Sequence, residues 1–287
     1  MGFLKYKKEI DLYIENYFKS LPENKITEAM SYSMNSGGKR VRGSLALMSG
    51  NMFDGAREDI LDMALAIEMI HTYSLIHDDL PSMDNDILRR GMKTSHVVFG
   101  EAMAILSGDA LLNEAFTVMI GSYGLKSKNG SRAALLMSKA SGRDGMILGQ
   151  VLDLENEEKD ASYDELLACH NKKTGELISI SLVAPAVYLG ASDKEIEKIK
   201  DFGIKLGLVF QIQDDILDSI STEKELGKTI GKDKKMNKTT YVSLFGVEKS
   251  REIEKELIED CIDILKQLDR DTREIEEFVY FLEERNY

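Results

Sequence analysis

Two aspartate-rich segments carry the chemistry of this chain: Asp78-Asp79-Leu80-Pro81-Ser82-Met83-Asp84 and, starting 136 residues later, Asp214-Asp215-Ile216-Leu217-Asp218. Each closes a strongly apolar stretch, so a solvated acidic face accounts poorly for either. Carboxylates crowded at the end of a core-facing helix repel one another unless a cation or hydrogen-bond donors compensate. Asp214 and Asp218 are four apart and share one helical face, with Asp215 beside them. Hard oxygen ligands without a His or Cys cluster favour Mg2+, which keeps several waters and shares itself with substrate phosphates. Two such nests predict a diphosphate held between them.

Cations accompany the carboxylates. Arg89-Arg90-Gly91 follows the first motif and Gly37-Gly38-Lys39-Arg40-Val41-Arg42 lies upstream of it. Guanidinium forks hold phosphate oxygens bidentately, while lysine adds a mobile point charge. Either cluster alone reads as a solvated basic turn; beside metal motifs, both read as diphosphate anchors. Gly38-Lys39 and Gly227-Lys228-Thr229 partly match a phosphate-binding P-loop, but neither has the earlier glycine or a preceding strand. Lys173 and Thr174 precede a long apolar helix, and Gln211 lies one turn before Asp214. His71 sits two turns before Asp78 on the same face. The competing structural readings are a hydroxyl bonded to its own helix, a satisfied core amide and a packed imidazole. Met30, Met34, Met48 and Met69 read as core filler rather than a cofactor box.

The elements that must position these groups read as helices. Apolar residues recur at three and four through about 5–18, 39–52, 57–80, 101–122, 131–154, 162–190, 192–219, 237–268 and 272–284, with no alternating strand pattern. The runs Ala64–Ile70 and Leu206–Ile212 are apolar on more than one face, which predicts two central helices delivering their aspartates to one end of a bundle. Loops are expected at Gly37-Gly38, Gly91–Ser95, Ser122–Gly130 and Ser221–Asn237. Among 287 residues only Pro22, Pro81 and Pro185 are prolines and no linker composition divides the chain, so one domain over 1–287 is expected, all-α. The 43% apolar content suffices for a large core, and no run is expected to approach the ~18 to 20 apolar residues of a membrane span. A net charge of −13 argues against a nucleic-acid surface. The N-terminal residues turn directly into charged helix, so a soluble, cytoplasmic protein without stable membrane insertion is expected. Cys169 and Cys261 form no C-x-x-C pair and are expected to be reduced.

At these residues the chain resembles the trans-isoprenyl diphosphate synthases, most of all the short-chain bacterial farnesyl diphosphate synthase group. The likeness runs nearly end to end: Gly37–Arg42, His71–Pro81 with Met83–Asp86, Leu88–Gly91, Gly149–Leu154, Lys173-Thr174-Gly175, Phe210–Asp218, and Leu226-Gly227-Lys228 with Gly231-Lys232-Asp233. The resemblance implies a single bundle of long helices around a deep cavity, paired as a homodimer. By matching position it implies Mg2+, three ions with diphosphate bound, held by Asp78, Asp79, Asp84 and Asp214 and supported by Asp215 and Asp218. It implies that Arg89, Lys173, Thr174, Gln211 and Lys228 meet an allylic diphosphate, and that Gly38, Lys39, Arg42, His71 and Arg90 hold isopentenyl diphosphate. Relatives often carry Asp where this chain has Ile87, and a small or basic residue at Glu176.

The activity so implied is a head-to-tail condensation: the allylic diphosphate ionises, the isopentenyl double bond attacks the cation, and a proton is lost. Thr174 and Gln211 are suited to steadying a cation without trapping it. Tyr73, five residues before Asp78, with small Ser74 beside it, is the candidate floor that stops the chain at fifteen carbons. Alternatives are a geranylgeranyl diphosphate synthase, a terpene cyclase and a catalytically silent subunit of a partner synthase. The cyclase reading suffers because its second metal motif normally mixes Asn, Ser or Thr with Glu, which Asp214–Asp218 does not.

Overall fold

A computed structural model describes residues 2–157, 159–220 and 239–283. The chain forms α1 (Gly2–Ser20), α2 (Lys25–Met34), α3 (Val41–Met52), α4 (Arg57–Asp78), α5 (Ser95–Phe99), α6 (Glu101–Met119), α7 (Lys128–Ser141), α8 (Met146–Glu157), α9 (Tyr163–His170), α10 (Glu176–Tyr188), α11 (Asp193–Ile220), α12 (Tyr241–Lys266) and α13 (Arg273–Glu283). The all-α expectation holds. Among the described residues the one departure is a hairpin of two-residue strands, β1 (Leu88–Arg89) and β2 (Met92–Lys93), which turns at Arg90-Gly91, both at positive φ. That hairpin replaces part of the loop expected at Gly91–Ser95.

Burial assigns the centre as the sequence indicated. From Ala64 to Ile70 on α4 no residue exceeds 2% exposure. On α10 every residue from Leu177 to Val187 is buried. Helices apolar all round must be core helices, and α10 packs against α3, α4, α7 and α11. The four methionines are core residues and both cysteines are buried and reduced.

Caps explain boundaries that periodicity misses. Polar α2 was not expected; its Asn24 side chain accepts from the Thr27 backbone N–H at 2.9 Å, the N-cap bond that starts a helix despite a weak apolar stripe. Reciprocal capping boxes start α9 at Ser162 with Glu165 and α12 at Thr240 with Ser243. The single helix expected over 131–154 breaks into α7 and α8 at Gly142–Gly145. The one expected over 162–190 runs as α9 and α10 through a π-helical turn, Asn171–Gly175. A second π turn, Ile120–Gly124, ends α6. Together they make Glu101–Gly124 long and apolar enough to cross a bilayer by composition, which corrects the expectation that no run approaches that length. Within the bundle this helix packs along α4.

Candidate active site

A cavity of about 590 Å³ opens at the end of the bundle where α3, α4, the hairpin, the 171–175 turn and α11 converge. Its basic side carries Gly38, Lys39, Arg42, His71, Arg89 and Arg90; its other side carries Thr174, Gln211, Asp214 and Asp218, over an apolar floor of Leu75, Ile178, Phe210 and Leu217. Residues from distant segments meet here, but Asp78, Asp79, Asp84, Asp215 and Lys173 are not among those lining this cavity. A larger depression of about 970 Å³ between α1 and α2 is walled by Glu15, Lys19, Glu23, Lys25 and Glu28, of which Lys19 and Glu15 are paired with each other.

The Gly37–Arg42 segment divides its labour. Arg40 is only 4% exposed and points into the protein, where Nε meets Asp11 at 2.8 Å, Nη1 meets Glu68 at 3.4 Å and Nη2 donates to the Met34 carbonyl at 2.5 Å. Glu68, itself 2% exposed, also accepts from the Gly43 backbone N–H at 2.9 Å. This buried cluster locks the start of α3, with Arg40 in the left-handed region (φ 51°), and so aims its neighbours outward. Arg90 donates to the Gly37 carbonyl across the cavity mouth. Gly38 is required there: at φ +128°, a Cβ would stand 2.4 Å from Arg90 Nη1.

Arg42 Nη1 lies 3.4 Å from His71 Nε2. Arginine can only donate, so Nε2 is the unprotonated nitrogen and His71 is neutral. Burial first, then Arg42, Arg90, Arg89 and Arg40, push its pKa well below the ordinary imidazole value of 6.5. Burial also draws Arg42 down to about 10, and its Nε is buried without a hydrogen-bond partner. Burial lowers Arg90 as well, against the pull of Glu68, so these two guanidiniums are the cations an anion would relieve.

The carboxylates are placed less uniformly than their motifs suggest. Burial, with repulsion from Asp84 and Asp153, raises Asp78 to about 6 although Lys173 and Arg89 oppose it. Asp79 is 4% exposed and pairs with Arg89, Nε to Oδ1 at 2.8 Å and Nη2 to Oδ1 at 2.6 Å. Sequence reasoning gave Asp79 to a metal and Arg89 to a substrate; here they hold each other. Asp215, expected to support a metal, is 7% exposed and is not among the residues lining the cavity. Its Oδ2 accepts from the Tyr241 backbone N–H at 2.9 Å and its Oδ1 from Gln211 Nε2 at 3.0 Å. Thr174 Oγ1 in turn donates to Gln211 Oε1 at 3.4 Å.

The π turn explains how Lys173 and Thr174 reach the site. One extra residue in a helical turn displaces side chains from the face they would otherwise occupy, a device frequent at functional sites. Two glycines let neighbours approach it: a Cβ on Gly149 of α8 would lie 2.1 Å from Lys173 N, and one on Gly207 of α11 would lie 2.7 Å from Gly175 Cα. Lys173 Nζ is held by Asp153 Oδ2 at 2.7 Å. Glu176 pairs with Lys172 at 2.8 Å, so its departure from the common pattern leaves Lys173 with Asp153. Ile87, the other departure, is 64% exposed. Lys228 lies outside the described residues. Tyr73 is 6% exposed beneath Asp78, edge-on to His77 with ring centroids 5.8 Å apart, and its hydroxyl is buried without a partner. Ser74 Oγ donates to the His71 carbonyl at 2.9 Å.

Asp153, Glu68 and Arg40 were missed as site-building residues. Glu68 carried a signal, a lone carboxylate inside the apolar run Ala64–Ile70. Asp153 lay within a quoted motif, but nothing local indicates that α8 presents it to Lys173.

The donor set fits Mg2+. Asp78 is a buried carboxylate crowded by other acids, which a cation would relieve. Among the described residues no three His, Cys, Asp or Glu side chains form a cluster that could hold a metal ion by themselves.

Over residues 23–280 the chain matches the family model for polyprenyl synthetase. It is 42% identical over 264 residues to a farnesyl diphosphate synthase of Micrococcus luteus, covering 92% of this chain and 90% of that protein. It is 45% identical over 249 residues to geranylgeranyl pyrophosphate synthase 4 of Arabidopsis thaliana, covering 86% and 67%. Its fold superposes with a TM-score of 0.84, at 33% identity and over 98% of this chain and 96% of the other, on a geranyltransferase from Helicobacter pylori complexed with magnesium and isoprenyl diphosphate. Match and geometry agree, and the chain belongs to the polyprenyl synthetase family.

Proposed function

We propose that this protein is a magnesium-dependent trans-prenyltransferase that condenses isopentenyl diphosphate with dimethylallyl or geranyl diphosphate to give farnesyl diphosphate and diphosphate. The observation that carries the reading is the single cavity with Lys39, Arg42, His71 and Arg90 on one side and Thr174, Gln211, Asp214 and Asp218 on the other. Two diphosphates fit that division: one on the cations, the other on the side where the aspartates would hold Mg2+. The relatives named above support it by their own activities.

Asp78, Asp84 and Asp214 would hold Mg2+, three ions in the full complex, which supplies Lewis acidity to the departing diphosphate. Lys173, steadied by Asp153, places a fixed positive charge near Asp78, where negative charge develops on the leaving group. Thr174 and Gln211 line the cavity, and their side-chain oxygens are suited to an allylic cation. Arg42, with neutral His71 beside it, and Arg90 orient isopentenyl diphosphate so that its double bond attacks the allylic carbon. Leu75, Ile178, Phe210 and Leu217 keep the floor apolar, which limits capture of the cation by water. The proton lost from the coupled product goes to the released diphosphate, so no side-chain nucleophile is needed. Tyr73, packed in the core and not among the residues lining the cavity, ends elongation where the growing tail reaches it.

Incubating the protein with Mg2+, isopentenyl diphosphate and each allylic primer, then measuring product length, tests the reading. Fifteen-carbon product is expected; twenty-carbon product would favour a geranylgeranyl diphosphate synthase, and no turnover would sink both. Tyr73→Ala is expected to lengthen the product. The protein also pairs as a homodimer in this reading. Exposed Ile105, Leu106 and Ile120 on the α6 segment and Ile147, Val151 and Leu154 at helical spacing on α8 are apolar surface suited to a second copy, and sedimentation at equilibrium would test it.

A further inference from the structure

The reading above asks Gln211 to show its amide oxygen to a developing cation, yet a glutamine amide can face either way. We infer that Asp215 is a positioning residue that fixes the orientation of the Gln211 amide, and with it the polarity that Thr174 and Gln211 present to the allylic cation. This rests on the proposed prenyl transfer for its catalytic consequence, though not for the geometry. Gln211 and Asp215 are one turn apart on α11, and Asp215 Oδ1 accepts from Gln211 Nε2 at 3.0 Å. An ionised carboxylate has no hydrogen to give, so only the nitrogen end of the amide can turn toward it. Oε1 must then face the other way, where Thr174 Oγ1 donates to it at 3.4 Å. When the hydroxyl hydrogen is spent on that contact, the threonine offers lone pairs elsewhere. Both side chains line the cavity, which Asp215 does not.

Asp215 is itself anchored. It is 7% exposed, and its Oδ2 accepts from the Tyr241 backbone N–H at 2.9 Å, in the first turn of α12. Unpaired N–H groups and the helix dipole make that helix start a natural seat for a carboxylate. The polarity therefore runs in one direction: α12 start to Asp215, Asp215 to the amide nitrogen, amide oxygen to the Thr174 hydroxyl. Reversing the amide would aim two N–H hydrogens at a cation, the wrong sign for the transition state.

The test exchanges donor for acceptor. In Asp215→Asn the introduced oxygen can keep the Tyr241 bond while the introduced amide N–H donates to residue 211, which turns the Gln211 oxygen inward and its nitrogen toward the cavity. The expected result is a fall in kcat of about 100-fold, with KM for both substrates and the Mg2+ concentration for half-activity within about threefold of wild type. Gln211→Glu alone sets two carboxylates against each other and is also expected to be poor. In the double variant the introduced glutamate accepts from the new amide and again shows an oxygen to Thr174, so kcat is expected to rise at least about tenfold above Asp215→Asn. A double variant no better than the single, or an Asp215→Asn enzyme that needs much more Mg2+, overturns the proposal, the latter by making Asp215 a metal ligand. Hydrogen exchange of the Gln211 side-chain amide in wild-type protein tests the placement even if a variant fails to fold: one Nε2 proton protected is expected, and two freely exchanging protons would overturn it. Wild-type protein without coupling activity would overturn the functional reading while leaving that exchange result to judge the geometry.

Discussion

The two aspartate motifs look alike in sequence but sit on different backbones. The first straddles the end of α4: Asp78 is its last residue, Asp79 its C-cap, and Asp84 lies in the following turn, where its N–H donates to the Asp78 carbonyl at 2.9 Å. The second lies wholly within α11, which runs on to Ile220. A helix end lets successive carboxylates diverge, while a helix interior holds them about 100° apart. In each motif one aspartate is turned into the protein. Asp79 goes to the Arg89 guanidinium from the hairpin, and Asp215 goes to the backbone start of α12. The difference is what each inward carboxylate organises: Asp79 holds a cation at the cavity edge, whereas Asp215 holds an amide whose polarity matters.

The largest expected effect falls on Asp78 and on Asp214, the latter lining the cavity. Asp78→Ala and Asp214→Ala should each lower kcat by about 10³-fold and raise the Mg2+ requirement; an undiminished rate from either would break the assignment of its motif. Next comes the pair on the first motif. Asp79→Asn leaves Arg89 only part of its bond, so it should cost about 1–3 kcal/mol of stability, read as a drop in Tm, together with weaker binding of the allylic substrate. A variant with full stability would show that Asp79 and Arg89 do not support each other. Smaller again, Asp153→Asn removes the charge that steadies Lys173 and should lower kcat/KM about 10- to 100-fold, with Tm nearly unchanged. The smallest effect concerns pH and His71. Its folded pKa is depressed from 6.5, so the folded protein resists a proton that the unfolded chain takes up. Stability is then full above about pH 6.5 and falls as pH drops below it. His71→Gln should flatten that part of the Tm profile, and an unchanged profile would assign the acid sensitivity to other groups.

Much of this was legible before any coordinates. Buried helices show as apolar on every face, and Ala64–Ile70 and Leu206–Ile212 are indeed the core helices that carry the motifs. The basic segments and Thr174 and Gln211 converge on one cavity as their types implied. What escaped the reading was mostly set by single hydrogen bonds or single residues. The Asn24 cap starts α2, the Gly142–Gly145 segment divides α7 from α8, and the π turn at 171–175 alters which face Lys173 occupies. Arg40 could not be told from Arg42 in a run of cations, because what separates them is Asp11 and Glu68 arriving from α1 and α4.

The sequence by itself determined that this is a helical protein with two acidic motifs and separate cationic segments. Side-chain chemistry and helical periodicity are local properties, and the order of residues contains them. Only the tertiary structure decided which carboxylate faces the cavity and which faces the protein, because Asp79 and Asp215 are claimed by donors from other elements, the hairpin and the start of α12. A buried polar group must find a partner, and which partner is within reach depends on how the chain packs.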